Sequence, residues 1–426
     1  MKKVLSISVL VFVGFIATNV AKAQTVIDEG RCGDNLTWQL TSNGILTING
    51  TGAMDDYNPH VASYPQGPKI APWDSYKEKI ETVIIGNGAT TIGTYAFEEC
   101  SKIISVDIPN SVTTIGYFAF NECSRLTSVI IPDAVTAIGY AAFSNCSKLT
   151  SINIPNSVRV IDEQTFSGCS SLTSVIIPNS VTEIKGGAFN GCSKLTSIEI
   201  PNSVTVIGVA SFSDCGKLTS IEIPNSVIEL GSYAFADCMS LTSAIIGDAV
   251  NGIGNDTFAN CFYLTSVTIG KSVAWIENDA FAYCNWLKTI ICKATTPPKF
   301  IVSSFSSPFV GVSGDANIII PCHTWSDYMS SVWGNIFKNF EEDCNSLNDV
   351  TQNEIIILYP NPINDIFFIE SENFVSINLY NVLGKEVVNQ NATGKTEIDI
   401  AYLPAGIYFV RITTNKGAVT RKVVKQ

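Results

Sequence analysis

The sequence predicts a mostly β chain: a solenoid of 23-residue repeats, followed by a small immunoglobulin-like β-sandwich. Two observations predict the solenoid. Cysteine recurs every 23 residues, and a phenylalanine stands three residues before each of these cysteines. A fixed period in this range is typical of stacked coils, each of which buries its apolar face only against its neighbours. The nine cysteines are Cys100, Cys123, Cys146, Cys169, Cys192, Cys215, Cys238, Cys261 and Cys284.

One repeat, Ser170 to Cys192, shows how a coil forms. Leu172 to Ile177 is short and β-branched and therefore favours a strand. Pro178 ends this strand, because proline cannot donate a hydrogen bond to the next strand. Apolar residues then return up to Phe189 and fill the core. The pattern predicts nine full repeats and a degenerate tenth within residues 78–298, with one continuous sheet along one side.

The composition limits the possible partners. Charged residues make up 15% of the 426 residues, and the net charge is −12. The chain therefore lacks the basic field that nucleic acid or an anionic membrane surface attracts, and we expect no nucleic-acid partner.

The first 23 residues are typical of a secretory signal peptide. Lys2 and Lys3 precede an apolar run to Val20, and Ala21 to Ala23 fits a cleavage site for a signal peptidase. A retained N-terminal anchor is the alternative. No later stretch approaches about 20 consecutive apolar residues, so we expect no membrane-spanning segment in the mature protein.

Cysteine spacing predicts buried thiols in the repeats. Equivalent residues of stacked coils lie about 4.8 Å apart with parallel side chains, whereas a disulfide needs Cβ atoms that face each other at about 3.8 Å. Stacked disulfides and a metal ladder are the alternatives. Outside the ladder, Cys322 and Cys344 bracket an amphipathic stretch and are candidates for a disulfide in an exported protein. Cys292 with Cys322 is the rival pairing, and Cys32 is expected to be a free buried thiol.

The repeat resembles the BspA-type leucine-rich repeat of bacterial surface proteins. The pattern L-T-S-I-x-I-P-N-S-V-T-x-I-G-x-x-A-F-x-x-C occurs with few changes in two consecutive repeats, and segments before and after the array resemble the family's entry and exit segments. The resemblance implies a leucine-rich-repeat solenoid over residues 78–298, with an N-terminal cap at 24–77 and a C-terminal cap at 299–345. The matching segments are Leu195–Cys215, Leu218–Cys238, Cys32–Trp38, Ala71–Trp73 and Ile318–Pro321.

A polar linker at residues 346–353 precedes a different pattern, about seven short strands within 354–426. Such strands predict a small β-sandwich. This tail resembles the C-terminal sorting domain of type IX secretion cargo, which implies passage through the outer membrane by the type IX machinery and a place on the cell surface or outside the cell. An ordinary adhesive or carbohydrate-binding sandwich is the alternative. The residues that carry the resemblance are Tyr359, Pro360, Asn361, Pro362, Gly384, Gly406, Tyr408, Lys422 and Lys425.

The sequence predicts no enzyme. Only two histidines are present, His60 and His323, and neither is accompanied by a nucleophile and an orienting acid. No zinc-protease, phosphate-loop or paired-cysteine motif occurs. We expect no catalytic, cofactor or metal site.

The predicted binding surface follows from strand geometry. Side chains alternate between the two faces of a strand, so the residue between two apolar anchors must point outward. Two positions earlier runs a nearly invariant serine row, which we expect to be structural. The outward row predicts adhesion through an extracellular protein or glycan ligand; the alternative is a structural component that associates with itself. The row consists of Asp107, Ile130, Asn153, Ile176, Glu199, Glu222, Ile245 and Thr268.

Overall fold

The computed structural model describes residues 25–60, 69–303, 306–344, 357–359, 363, 365–371, 374–381, 385–391, 394–414 and 417–426. These residues form two compact units, one that ends at Leu218 and one that begins at Thr219. No helix in the described part of the chain is long and apolar enough to span a membrane. The proposed signal peptide at 1–23 and the proposed linker at 346–353 lie outside the described residues.

The first unit opens with an antiparallel sheet that becomes parallel. Strands β1 and β2 pair antiparallel, as do β2 and β3, and β3 then pairs parallel with the first strand of the repeats. The turn between β2 and β3 needs Gly44, whose φ is +78°, a conformation that favours glycine. The elements are β1 (Val26–Arg31), β2 (Leu36–Thr41), β3 (Ile45–Gly50), β4 (Gly52–Ala53) and a 3₁₀ turn at Asp74–Tyr76.

Most coils of the first unit contribute one short strand to each of two sides. Apolar residues of both strands point inward, and parallel pairing joins many of the neighbouring coils. The first side holds β5 (Thr82–Ile85), β7 (Ser105–Asp107), β9 (Ser128–Val129), β11 (Ser151–Asn153) and β13 (Ser174–Ile176). The second holds β6 (Ala89–Ile92), β8 (Thr114–Ile115), β10 (Ala137–Ile138), β12 (Val160–Ile161), β14 (Glu183–Ile184) and β15 (Val206–Ile207).

The third side of each coil is a turn that carries the phenylalanine and the cysteine. Its backbone takes a left-handed conformation twice per coil, with φ between +51° and +71°; Gly168, Gly187 and Gly191 occupy only three of these positions. Hydrogen bonds between coils hold the turn, for example from Phe120 N–H to Ala142 O at 2.8 Å. The phenylalanine rings stack with 5.2–5.9 Å between centroids from Phe97 to Phe212.

The expectation of one continuous sheet along the first side is wrong for the first unit. Strands β1 to β9 on this side belong to a six-stranded sheet, whereas β11 and β13 form a separate pair. Beyond β13, residues 197–199 pair with no strand in the described part of this unit.

The second unit continues the repeat and ends in an irregular cap. Its phenylalanine stack passes from Phe281 to Phe309, which lies outside the 23-residue period. Cys322 and Cys344 form a disulfide with their Cα atoms 4.6 Å apart, and Cys292 is a buried free thiol. The elements are β16 (Ser220–Glu222), β17 (Glu229–Leu230), β18 (Ser243–Ile245), β19 (Gly252–Ile253), β20 (Ser266–Ile269), β21 (Trp275–Glu277), β22 (Thr289–Cys292), β23 (Lys299–Ile301), β24 (Asn317–Pro321), α1 (Trp325–Ser330) and β25 (Asn339–Asp343).

The tail forms two antiparallel sheets that share one apolar core. One sheet has the order β26-β27-β30 and the other β29-β28-β31-β32. Phe367 and Ile398 come from the first sheet, Leu379 and Val410 come from the second, and all four are buried in the core. The strands are β26 (Ile357–Tyr359), β27 (Ile366–Ser371), β28 (Phe374–Asn381), β29 (Glu386–Asn391), β30 (Gly394–Asp399), β31 (Gly406–Thr414) and β32 (Gly417–Lys425).

The prediction of a mostly β solenoid with 23-residue repeats is confirmed. Equivalent residues pair with a shift of 23, as Ser151 does with Ser174 and Ser243 with Ser266. The immunoglobulin likeness of the tail and the domain limits at 24–77, 78–298, 299–345 and 354–426 stay predictions.

Candidate functional site

The eight residues of the predicted outward row lie on the first side of the coils. All but Glu199 are flanked on both sides by buried apolar neighbours, as Ile176 is by Val175 and Ile177. The alternation places the row on the surface: Ile130 is 83% exposed and Ile176 is 67% exposed. Thr268 is half-buried, and the remaining members of the row, Asp107, Asn153, Glu199, Glu222 and Ile245, are exposed.

A threonine row, one residue before the serine row, holds this side together. The Thr150 hydroxyl donates to the Thr127 carbonyl at 3.3 Å, and the Thr173 hydroxyl donates to the Thr150 carbonyl at 3.1 Å. The backbone N–H of each of these two residues donates to the same carbonyl as its hydroxyl. In the serine row, the Ser105 hydroxyl donates to the Thr82 hydroxyl at 3.5 Å, and a structural role of the whole row stays a prediction. The outward row beside it takes no part in these bonds.

A groove lies on the first side of the first unit, where the sheet is interrupted. It brings together three members of the predicted row, Asn153, Ile176 and Glu199. The turns that follow the strands supply the remaining wall. Ile198, which corresponds to the buried Val175 one coil earlier, is half-buried. The wall residues of these turns are Asp133, Pro155, Asn156, Pro178, Asn179 and Pro201.

The groove combines amide groups, carboxylates and apolar surface. Neither Lys nor Arg is among the residues that line it, and Asp133 and Glu199 are its only charged groups. A second groove at the first two coils has a similar lining, with Asn87, Asp107 and Asn110 beside exposed Ile84. Both grooves lie at the edge where the strands of the first side meet the turns that follow them, which we call the turn edge. This edge therefore presents amides, carboxylates and apolar surface at two places along the first unit.

Of the two histidines, His60 contacts a carboxylate in the first unit and His323 lies in the second unit. His60 Nε2 lies 2.8 Å from Glu98 Oε2, and burial raises the pKa of Glu98 despite this contact. His323 is exposed and has a φ of +65°. Within the described ranges, one group of three potential metal ligands lies close together, Cys322, Glu342 and Cys344. Two of its sulfurs form the disulfide and are therefore not free to bind a metal ion.

The cysteine ladder has the chemistry of a core and not of a reactive site. All nine thiols are buried, and none of them forms a disulfide. Burial raises the pKa of Cys169 and of Cys215 to about 12. Because the thiolate is the nucleophilic form, these groups are inert at neutral pH.

The tail holds its last lysine inside the domain. Lys425 Nζ donates to the carbonyls of Ile400 at 2.6 Å and Ala401 at 3.0 Å, and lies 3.6 Å from an Asp365 carboxylate oxygen. The Tyr408 hydroxyl donates to Pro404 O at 2.8 Å. Gly406 begins β31, Tyr359 ends β26, and Lys422 lies in β32. The other residues of the proposed sorting motif, Pro360, Asn361, Pro362 and Gly384, lie outside the described residues.

Two family models match the chain. The BspA-type leucine-rich repeat region matches residues 75–196 and 182–299. The secretion system C-terminal sorting domain matches residues 357–426. A sorting domain of this kind directs a protein through type IX secretion to the cell surface or the extracellular space. No match is found among curated proteins.

Several solved structures are similar to the chain. A leucine-rich repeat protein from Bacteroides ovatus ATCC 8483 is 23% identical, with a TM-score of 0.39; the match covers 73% of this chain and 98% of that one. A protein of the same description from Eubacterium ventriosum ATCC 27560 is 21% identical, with a TM-score of 0.36 and coverage of 67% and 95%. A leucine rich cell surface protein from Faecalibacterium prausnitzii A2-165 is 23% identical, with a TM-score of 0.33 and coverage of 77% and 98%.

Proposed function

Because the chain belongs to the BspA-type leucine-rich repeat family, we propose that it is a non-catalytic surface protein that binds an extracellular macromolecule. The observation that carries the proposal is the groove of the first unit. It brings Asn153, Ile176 and Glu199 of the outward row together on a side held rigid by its threonine ladder. Binding sites of this kind combine apolar surface with a few polar groups that set orientation.

The non-catalytic part of the proposal rests on the same surface. Catalysis needs a nucleophile or an acid–base pair within hydrogen-bond reach of the reacting atoms. The groove offers amides and two carboxylates in separate coils, and the buried thiols have no thiolate to offer. An array of this kind supplies a long recognition surface.

A binding screen with a matched pair of variants tests this function. The mature protein is screened against extracellular-matrix proteins, mucins and glycans. Ile176→Lys with Glu199→Lys should abolish a saturable interaction, because it adds bulk and positive charge to the groove. Ile228→Lys with Glu229→Lys makes the same chemical change at exposed residues outside the outward row and should leave binding unchanged. Equal binding by both variants would remove the groove as the site.

Self-association is the second candidate function, and one observation favours it. Ile130 is the most exposed isoleucine of the outward row, and Ile176 and Ile245 are also exposed. Exposed apolar side chains on a sheet side often mark contacts between proteins. Analytical ultracentrifugation of the mature protein tests this candidate: assembly that rises with concentration and disappears in Ile130→Lys supports it, and a monomer at all concentrations removes it.

A further inference from the structure

The polar side chains of the groove are available to a ligand that both donates and accepts hydrogen bonds. Asn153, Asn156 and Asn179 are exposed, and their carboxamides bond to no other residue in the described part of the chain. Some asparagines elsewhere are engaged: Asn121 donates to Glu98 at 3.3 Å and Asn278 to Asn255 at 3.1 Å. A carboxamide offers both a donor group and an acceptor oxygen, which is the combination that a pair of sugar hydroxyls needs.

The charges of the groove favour an uncharged ligand. An anionic polymer would meet Asp133 and Glu199 and no described lysine or arginine among the lining residues. A cationic polymer would find these two carboxylates three coils apart, which is about 14 Å at ~4.8 Å per coil. The carboxamides between them carry no net charge. Hydroxyl groups bond to both carboxylates and amides without bringing a charge into the groove.

The apolar part of the groove complements the C–H face of a sugar ring. Ile176, 67% exposed, is the exposed apolar side chain of the lining, whereas the prolines that end successive strands, Pro155 and Pro178, are buried. Small-ligand sites typically pair such apolar surface with a few polar groups that fix orientation. The groove therefore has both kinds of contact on one wall.

The period of the array favours a polymer over a single sugar. The turn edge repeats an amide or a carboxylate in successive coils, at Asn87, Asn110, Asp133, Asn156 and Asn179. A linear polysaccharide also presents the same hydroxyls at each repeat. Contacts that are weak one by one then add, because each further contact of a bound chain is intramolecular.

Building on the proposed binding function, we propose that this groove and the turn edge beside it bind a neutral, hydroxyl-rich polysaccharide that lies along the coils. The ligand class follows from unpartnered carboxamides, exposed apolar surface and the lack of a basic side chain in the described lining. The asparagines of the turn edge then contribute to specificity together with the residues of the outward row.

Affinity electrophoresis and calorimetry on the mature full-length protein test the proposal. The neutral probes are dextran, mixed-linkage β-glucan and mannan; dextran sulfate and poly-L-lysine are the charged counterparts. We expect saturable binding to a neutral probe and none to the charged polymers. Asn156→Ala with Asn179→Ala should weaken that binding about thirtyfold, because two neutral hydrogen bonds contribute on the order of 1 kcal/mol each.

The control is Asn190→Ala, the same substitution on the turn that follows Phe189, away from the groove. It should leave affinity unchanged, and circular dichroism should show that all variants are folded. Preference for dextran sulfate or poly-L-lysine would overturn the neutral-ligand proposal. Binding to a matrix protein or mucin without binding to any neutral probe would also overturn it, yet leave the proposed function intact. Failure with every extracellular probe would overturn both.

Discussion

The Cys169 thiol donates a hydrogen bond over 3.3 Å to the carbonyl oxygen of Phe143 in the preceding coil. The same carbonyl accepts the backbone N–H of Cys146. The relationship recurs in the first unit, where Cys123 bonds to Phe97 and Cys192 to Phe166. The thiol is therefore both a small buried apolar group and a hydrogen-bond donor between coils, which explains why cysteine fits this position.

The buried thiols predict a loss of stability at alkaline pH. Burial raises the pKa of Cys169 and Cys215 to about 12, from an ordinary value of 9.0. Above about pH 9 the unfolded chain releases these protons while the folded chain keeps them, so unfolding becomes easier as pH rises toward 12. Denaturant unfolding from pH 7 to 11 measures this: the free energy of unfolding should be nearly level to pH 8.5 and then fall.

Cys169→Ala supplies the control for this pH dependence. The variant lacks one titrating thiol, so its unfolding free energy should fall less steeply above pH 9, by about 1.4 kcal/mol per pH unit for one proton. An unchanged slope in the variant would contradict the account.

The phenylalanine stack predicts a large effect of one truncation. Phe189 is fully buried, with Phe166 and Phe212 at centroid distances of 5.5 and 5.3 Å. Phe189→Ala should lower the free energy of unfolding by about 3–5 kcal/mol, because it leaves a cavity between two rings. Tyr117→Ala removes a ring that is 56% exposed and should cost less than about 1 kcal/mol. Chemical denaturation that finds equal costs would show that the stack is not the core.

The disulfide predicts a stability difference between oxidised and reduced protein. Cys322 and Cys344 close a loop with a sequence separation of 22, for which the loss of chain entropy on cross-linking predicts about 3 kcal/mol of stabilisation. Calorimetry should therefore show a lower transition temperature for the second unit after reduction. Cys322→Ala with Cys344→Ala should unfold at that lower temperature and not respond to reductant; a response would point to another bond.

We expect the buried contacts of Lys425, the next-to-last residue, to stabilise the tail. Its buried ammonium donates to Ile400 and Ala401 carbonyls, and removing hydrogen bonds from a charged donor costs about 1.5–3 kcal/mol each. Lys425→Met keeps the apolar stem, so tail proteolysis should accelerate and export should fall. Lys385→Met, at an exposed lysine outside these bonds, is the control. Equal proteolysis of the two variants would rule out the buried contact as the cause.

The sequence predicts the repeat, its inward residues and its outward row. Each of these depends only on the order of residues within one or two repeats. A period of 23 fixes which residues lie beside each other in neighbouring coils, and strand alternation fixes the side that Ile176 faces. The sequence left two disulfide pairings open, Cys322 with Cys344 and Cys292 with Cys322. The distance between these cysteines in the folded protein depends on the path of the chain through the cap, which the sequence pattern does not determine.

The groove could not be predicted, because residue types do not mark it. Ser197, Ile198 and Glu199 form no strand, whereas Ser220, Ile221 and Glu222 are the same three residues and form β16. Packing over several coils decides whether such a short segment completes its pairing. The left-handed turn residues are a similar case: Phe118 and Ala141 have φ of +53° and +51°, which hydrogen bonds between coils hold against local preference.

Binding by the outward row is the central claim, and one comparison tests it most directly. The affinity of the mature protein for its best extracellular probe is measured beside that of Ile176→Lys with Glu199→Lys and of the control pair at Ile228 and Glu229. The account predicts that the first pair loses binding while the control retains it and both stay folded. Wild-type affinity in the first pair would contradict the account and move the binding site away from the groove.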